Sequence, residues 1–364
     1  MNTNRKLRVG DWVEVRSREE ILRTLDKKGQ IDGMPFMPEM FAFCGKRFQV
    51  YMRAHKGCDT VFPVRSRRFT NSVHLGTRCD GSAHGGCQAG CMIYWKTDWL
   101  KQVEDGSTRL INASSASDSS ERSAYIGGVC TEDDVSRATL SPTVGENSAR
   151  RYSCQATQLP YASKDLSPWD IRQYLEDITS GNVGLARWIR GFIYISYQNL
   201  INLGIGLGQP LRLLFDFVNP LWGGPKYPRW PGTIPAGEQT PIATLNLQEG
   251  ELVRVKSHDE ILATCSTEYK NRGLYFDGEM VPYCGGTYRV HKRVTQILDE
   301  KTGEMMPMKT PCIILEDVVC KARYSNCRMF CPREIYPYWR EIWLERIPER
   351  LADSRWEAPA GNRA

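Results

Sequence analysis

RCDGSAHGGCQAGCMIYWKTDWL, residues 78–100, has an echo in VCKARYSNCRMFCPREIYPYWREIWL, residues 319–344. Cys79, Cys87 and Cys91 in the first stretch match Cys320, Cys327 and Cys331 in the second. Tyr94, Trp95, Trp99 and Leu100 match Tyr338, Trp339, Trp343 and Leu344. Three thiols at a repeated spacing, each followed by the same aromatic signature, make two related metal or cluster sites the first expectation.

The duplication extends well beyond the cysteines. Gly10-Asp11-Trp12-Val13-Glu14-Val15-Arg16-Ser17 returns 240 residues later as Gly250-Glu251-Leu252-Val253-Arg254-Val255-Lys256-Ser257. At the same offset, Glu20-Ile21-Leu22 returns as Glu260-Ile261-Leu262. Phe36, Glu39, Met40, Cys44, Gly45 and Val50 return as Phe276, Glu279, Met280, Cys284, Gly285 and Val290. A constant offset over so many positions is a duplication. Each copy begins with a short strand (12–15 and 252–255), followed by Ser-x-x-Glu, the capping-box spacing of a helix start. Alternating strands are expected near 47–52 and 288–293. The Tyr94–Leu100 segment suits a short helix, and the repeated tryptophans are expected in the core.

The Gly-Asp-Trp-Val-Glu-Val-Arg opening resembles that of SH3-like or KOW-type small barrels, in which a Gly-Asp turn leads into the first strand. The whole pattern also resembles that of a bacterial family with no assigned activity. The resemblance implies an architecture and no chemistry: an α+β protein with two duplicated SH3-like β-barrel domains and a helical insert. The expected division is 1–104 for the first four-cysteine domain, 105–150 for a flexible linker, and 151–235 for the helical insert and its Pro/Gly/Trp-rich strap. The second four-cysteine domain then covers 236–350, with 351–364 as a tail.

Between the copies, 105–150 is rich in Ser, Thr, Asp and Glu, with too little apolar surface to offset the entropy of ordering. Ser167-Pro168-Trp169-Asp170 is a helix-start pattern, and Ile171, Tyr174, Leu175 and Ile178 form its apolar stripe. A second helix should start near Leu185. Residues 191–211 carry no charge, but their polar residues and glycines make a poor spanning helix. A buried helix, or one docked against a membrane surface or a partner, is the expectation there.

Composition bounds the function. The chain has 364 residues, is 41% hydrophobic and 25% charged, and carries a net charge of +6, within the range of soluble globular proteins. The positive balance is mild, and nucleic-acid binding through the barrels is a weaker alternative. Arg65, Arg67 and Arg68 form the basic run for that reading, in a segment expected to be a loop. No signal-like apolar region opens the sequence, and 13 cysteines are clustered as metal ligands rather than spread as a disulfide framework. A cytoplasmic location is expected.

Two sets of four thiols repeat in register: Cys44, Cys79, Cys87 and Cys91, and Cys284, Cys320, Cys327 and Cys331. Four thiolates can hold structural zinc or an iron–sulfur cluster. The chain contains no Cys-x-x-Cys knuckle, and Cys327-x-x-x-Cys331-Pro332 resembles the end of a bacterial ferredoxin run. Spacing therefore favours two iron–sulfur clusters of the 4Fe–4S kind, with zinc as the alternative and buried free thiols as the plain one. Only the first copy fills its loop with Asp80, Gly81, His84, Gly85 and Gly86. His84 is a candidate ligand or proton donor, with Asp80 to orient it. Cys58, beside His55 and Lys56, is a candidate redox thiol or nucleophile if its neighbours depress its pKa.

These readings lead to an iron–sulfur protein in electron transfer, or a redox component of a biosynthetic enzyme with a protein partner. The alternative is a zinc-stabilised, non-catalytic scaffold that binds a protein or membrane partner through the helical insert.

Overall fold

The computed structural model describes residues 6–61, 63–103, 130–141, 150–204, 206–325 and 327–348. It is an α+β protein built from several small antiparallel sheets and short helices. The tail at 351–364 and most of 105–150 lie outside the described residues, including the 125–129 segment.

The duplication in sequence is a duplication of elements. Strand Trp12–Val15, helix Arg18–Leu22, a hairpin of Gln30–Ile31 with Met34–Pro35, and the 3-10 helix Pro38–Phe43 recur in order. Their counterparts are Leu252–Val255, His258–Leu262, Lys270–Asn271 with Leu274–Tyr275, and Gly278–Tyr283. Both capping boxes form, with Ser17 and Ser257 each accepting from the backbone of the Glu three residues on. Each opening strand pairs antiparallel with the copy's last strand, Val15 opposite Leu100 and Val255 opposite Leu344. On its other edge it pairs with Arg47–Gln49 or with the start of Thr287–Leu298.

The aromatic signature packs both cores. Trp95, Trp99, Trp339 and Trp343 have no solvent exposure. Phe36 meets Trp99 edge-to-face at 5.1 Å, and Phe276 meets Trp343 at 5.4 Å. The expected helix over Tyr94–Leu100 is instead a short strand, Trp95–Lys96, and a 3-10 turn, Thr97–Trp99. An extended backbone lets Trp95 Nε1 reach Thr77 Oγ1 at 2.9 Å across the base of the cysteine loop.

The copies differ in one respect that shapes the site. The second carries a long hairpin, Thr287–Leu298 with Met305–Leu315, whose tip leaves its own half. At that tip Gln88 Oε1 accepts from the Thr295 and Gln296 backbones at 2.6 and 3.1 Å. Gln296 Nε2 donates to the Gly85 and Gly86 carbonyls. The second half thus grips the first half's cysteine loop.

Several sequence expectations are corrected. The predicted linker contains the capped helix Glu132–Ala138, whose Val135 joins the first core. Arg65–Arg68 is a strand, not a loop, and Arg67 is spent internally on Ser163, Pro160 and Asp165. Arg68 pairs with Glu176, and Arg65 is exposed. The helix expected from Ser167 begins at Arg172, and its stripe is split: Tyr174 is buried and Ile178 half-buried. Ile171 and Leu175 are 71% and 57% exposed, whereas Gln173 and Asp177 are buried. The uncharged 191–211 segment is broken: one helix ends at Ile201 and the next starts at Gly208. Among the described residues, no helix is long and apolar enough to cross a membrane.

The inward face of the helix that begins at Arg172 also carries a buried charge. Lys56, on the strand Lys56–Asp59, donates to Asp177 Oδ2 at 2.6 Å, and His55 Nε2 lies 3.1 Å from Asp177 Oδ1. All three side chains are at most 2% exposed. Asp177→Asn leaves the Lys56 ammonium buried without a counter-charge, and its urea unfolding free energy should fall by about 3–5 kcal/mol. Adding Lys56→Met should restore most of that loss, because the orphaned charge is gone.

Candidate metal centre

The first cysteine loop, between strands Ser72–His74 and Trp95–Lys96, is closed at its neck by backbone pairing. Ile93 N–H donates to Thr77 O at 3.0 Å, and Cys79 N–H donates to Cys91 O at 2.8 Å. Cys79 and Cys91 therefore face each other at the mouth. The loop then folds on itself: His84 and Gly86 N–H groups both donate to Gly81 O, and Cys87 N–H donates to His84 O. This tight wrap needs left-handed backbone, with φ of 75° at Gly81, 63° at Gly85 and 74° at Gly86.

A fourth thiol arrives from a different part of the chain. Cys154 caps the short helix Gln155–Gln158 at its start. The Gln155 amide acts like a missing strand: its Oε1 accepts from Tyr94 N–H at 2.8 Å, and its Nε2 donates to Tyr94 O at 2.9 Å. His84 Nε2 lies 3.2 Å from Ser153 O, a second stitch. On the far side Tyr152 N–H donates to Gly303 O at 2.7 Å, fastening the segment to the hairpin tip. One cavity of about 580 Å³, counting its open mouth, is lined by Cys79, Cys87, Cys91 and Cys154. His84, Leu298, Glu300 and Arg333 complete the wall.

The polar groups around these thiols are poised. Leu298 N–H donates to Cys87 Sγ at 3.3 Å, a bond that strengthens when the sulfur is a thiolate. Cys79 Sγ donates to Glu39 Oε1 at 3.0 Å, and His84 Nδ1 lies 3.4 Å from the same oxygen. Glu39 Oε2 and His84 Nδ1 are buried without a hydrogen-bond partner. The ligand atoms of Glu39, Cys79 and His84 lie within 4.8 Å of one another. Burial alone raises the Glu39 carboxyl, but the His84 imidazole beside it and the hydrogen bond from Cys79 outweigh that and the net shift is downward. Burial raises Cys91 to about 12 and Cys154 to about 11. Burial, with Glu39 beside it, pushes Cys79 higher still. A nearby cation is what such thiols need in order to ionise.

A second group of thiols lies at the junction of the halves. Cys58 N–H donates to Cys331 Sγ at 3.2 Å, and these two pack with Cys320, Ala322 and Ile335. Cys327 Sγ lies 3.3 Å from Ser325 Oγ, and its carbonyl accepts from Ser66 Oγ. Ser66 is the cross-strand partner of Cys58. The hydrogen bond with Cys331 draws the Cys58 thiol down to about 7 and pushes Cys331 up.

The expected eight-cysteine set is thus rearranged. Cys79, Cys87 and Cys91 come together, as do Cys320 and Cys331, with Cys327 beside them. Cys44 and Cys284 stand apart: each caps the end of the repeated 3-10 helix, before a glycine with φ of 74° or 79°. Cys44 has Arg18, Glu19 and Glu132 around it, and Cys284 has Asp259. Neither lines the cavity. Asp80 is exposed and accepts from Ser82 N–H at 2.8 Å, and it is Glu39 that faces His84 Nδ1. Cys58 is buried in a strand beside Cys331, which lowers its thiol pKa with help from Arg333 and Arg328, whereas Lys56 is committed to Asp177. Sequence reasoning passed over Cys154 for want of a counterpart in the other copy. Glu39 had a signal, since Glu279 repeats it among apolar positions.

No family model, curated protein or solved structure matches this chain. Function therefore rests on the site itself.

Gly81 is the residue that lets the loop close, because a Cβ there would sit 2.0 Å from the Cys87 carbonyl oxygen. Gly81→Ala should cost more than about 1 kcal/mol in thermal or urea unfolding, and the purified variant should lose metal from this loop. Gly76→Ala is the control: its φ is also positive, at 75°, but a Cβ meets nothing within 4 Å. It should keep its metal.

Proposed function

We propose that this chain is an iron–sulfur protein whose working cluster is held by Cys79, Cys87, Cys91 and Cys154. It serves electron transfer or the redox step of a biosynthetic enzyme. The proposal takes the two halves to be SH3-like barrels that act as rigid mounts for the cysteine loops. The observation that carries the reading is four thiols lining one cavity. Among the described residues, no three cysteine sulfurs lie within 4.8 Å of one another; the one such group of metal-binding side chains is Glu39, Cys79 and His84. Tetrahedral zinc, with Zn–S of about 2.3 Å, draws its thiolates to about 3.8 Å apart. A cluster sets its ligands further apart, because iron and sulfide fill the centre.

The surroundings fit that group. Leu298 N–H is already aimed at Cys87 Sγ, and the buried Arg333 guanidinium on the wall offsets the negative charge of a thiolate-bound cluster. His84 and Glu39 stand beside Cys79 as polar groups of the wall. Electrons come from a reduced one-electron protein carrier and pass to an oxidised partner, with no bond in the chain made or broken. The first half is the working one, because the open cavity and His84 are both there.

Anaerobically purified protein should contain iron and acid-labile sulfide in equal amounts, with broad visible absorbance that dithionite bleaches. Cys154→Ala should lose the iron of this site, whereas Cys44→Ala should retain it. Stoichiometric zinc without sulfide would overturn the reading.

The helical insert favours a second role alongside the first. Leu185, Ile189, Ile193, Leu203, Leu213, Leu214 and Phe217 are exposed, and helix Leu185–Ile201 carries no acidic residue while presenting Arg190 to solvent. Such a face suits the surface of an anionic membrane. The protein should float with vesicles of phosphatidylcholine and phosphatidylglycerol, and Ile193→Glu with Leu213→Glu should abolish flotation without changing metal content.

A further inference from the structure

We infer that a second four-thiolate metal site spans the junction of the two halves, with Cys58 of the first half completing Cys320, Cys327 and Cys331 of the second. It takes the identity of its metal, an iron–sulfur cluster, from the reading of the first site, but not its existence.

The argument starts from an exchange between the halves. Cys58 and Leu298 stand 240 residues apart, the spacing of the duplication. Leu298 N–H donates to Cys87 Sγ in the first half's loop at 3.3 Å, and Cys58 N–H donates to Cys331 Sγ in the second half's loop at 3.2 Å. Each half therefore sends the same strand position across to a sulfur of the other half's loop. In one direction that position is leucine, so the first site needs a thiol from elsewhere and finds Cys154. In the other direction it is cysteine, which supplies the fourth thiol directly.

The rest of the junction holds the four residues in place. Cys320 N–H donates to Ile335 O at 2.8 Å and Cys331 N–H to Arg328 O at 3.0 Å, closing the second loop as the first is closed. Ser66, opposite Cys58 on the neighbouring strand, donates to the Cys327 carbonyl. The helical insert covers the loop: Phe330 and Met329 pack with Tyr174 and Val183, and Arg187 donates to Lys321 O at 2.8 Å. Cys58 and Cys331 are 2% and 7% exposed. Cys320 and Cys327 are half-buried.

Arg333 ties the two sites together. Its side chain is 2% exposed, it donates to the Cys58 carbonyl at 3.0 Å and to Glu300 Oε1 at 2.6 Å, and it lines the first cavity. The second site is thus a buried neighbour of the first, one side chain away, placed to pass electrons to it.

The test is metal and sulfide analysis with electron paramagnetic resonance on the dithionite-reduced full chain. Wild type should hold about twice the iron of Cys58→Ala, and Cys154→Ala should show the complementary loss. The two variants should retain different signals, and the double variant should retain none. Far-UV circular dichroism establishes folding; if Cys58→Ala does not fold, Cys58→Ser, which keeps the backbone N–H and the side-chain size, is read in the same way. Full iron and an unchanged spectrum in the folded Cys58 variant would overturn the inference. If the metal is zinc, the iron–sulfur reading of the first site falls, while halving of the zinc by Cys58→Ala still supports the junction site.

Discussion

Neither cysteine loop is complete within its own half. Each carries three thiols on a backbone closed at the neck, and each receives a backbone N–H from the other half, Leu298 to Cys87 and Cys58 to Cys331. A sulfur buried with such a donor is stabilised as a thiolate only if the donor stays in register. The long hairpin, the Gln88 clamp on Thr295 and Gln296, and the Arg333–Glu300 pair all serve to hold that register.

The helical insert answers to the same constraint. Lys56 and Asp177 bury a charge pair beside the strand that carries Cys58, and Lys56 Nζ also sits over the Tyr174 and Phe330 rings. Removing either partner would expose the other to an uncompensated burial, so the insert is held over the second loop by more than apolar contact. Asp177 faces inward together with Tyr174, and Ile171 and Leu175 are left to solvent. The exposed face leaves the insert available as an interaction surface.

Asymmetry between the copies suits a division of labour. The first loop has glycines where the second has Lys321 to Ser325, and it has His84 against Glu39, both with buried atoms lacking partners. In the second copy the matching Glu279 is turned to the loop backbone and accepts from Tyr324 N–H. One repeated carboxylate thus faces a thiol and an imidazole in one half and holds a loop in the other. Duplication supplied the mount twice, and the chemistry diverged on it.

The sequence alone determined the duplication, the two capped helices, the three-cysteine loops and the tryptophan cores. All of these depend on local propensity or on packing within one copy, and such packing repeats at a fixed offset. It did not determine which further thiol lies beside each loop. Cys44 and Cys284 kept their register because both cap the same 3-10 helix, a local role that looks like ligand pairing when only spacing is available. Cys154 and Cys58 broke the register because one comes from the insert and the other from the opposite half. A metal site selects its ligands by distance in space, and only the docking of hairpin, insert and loops decided which thiols were near.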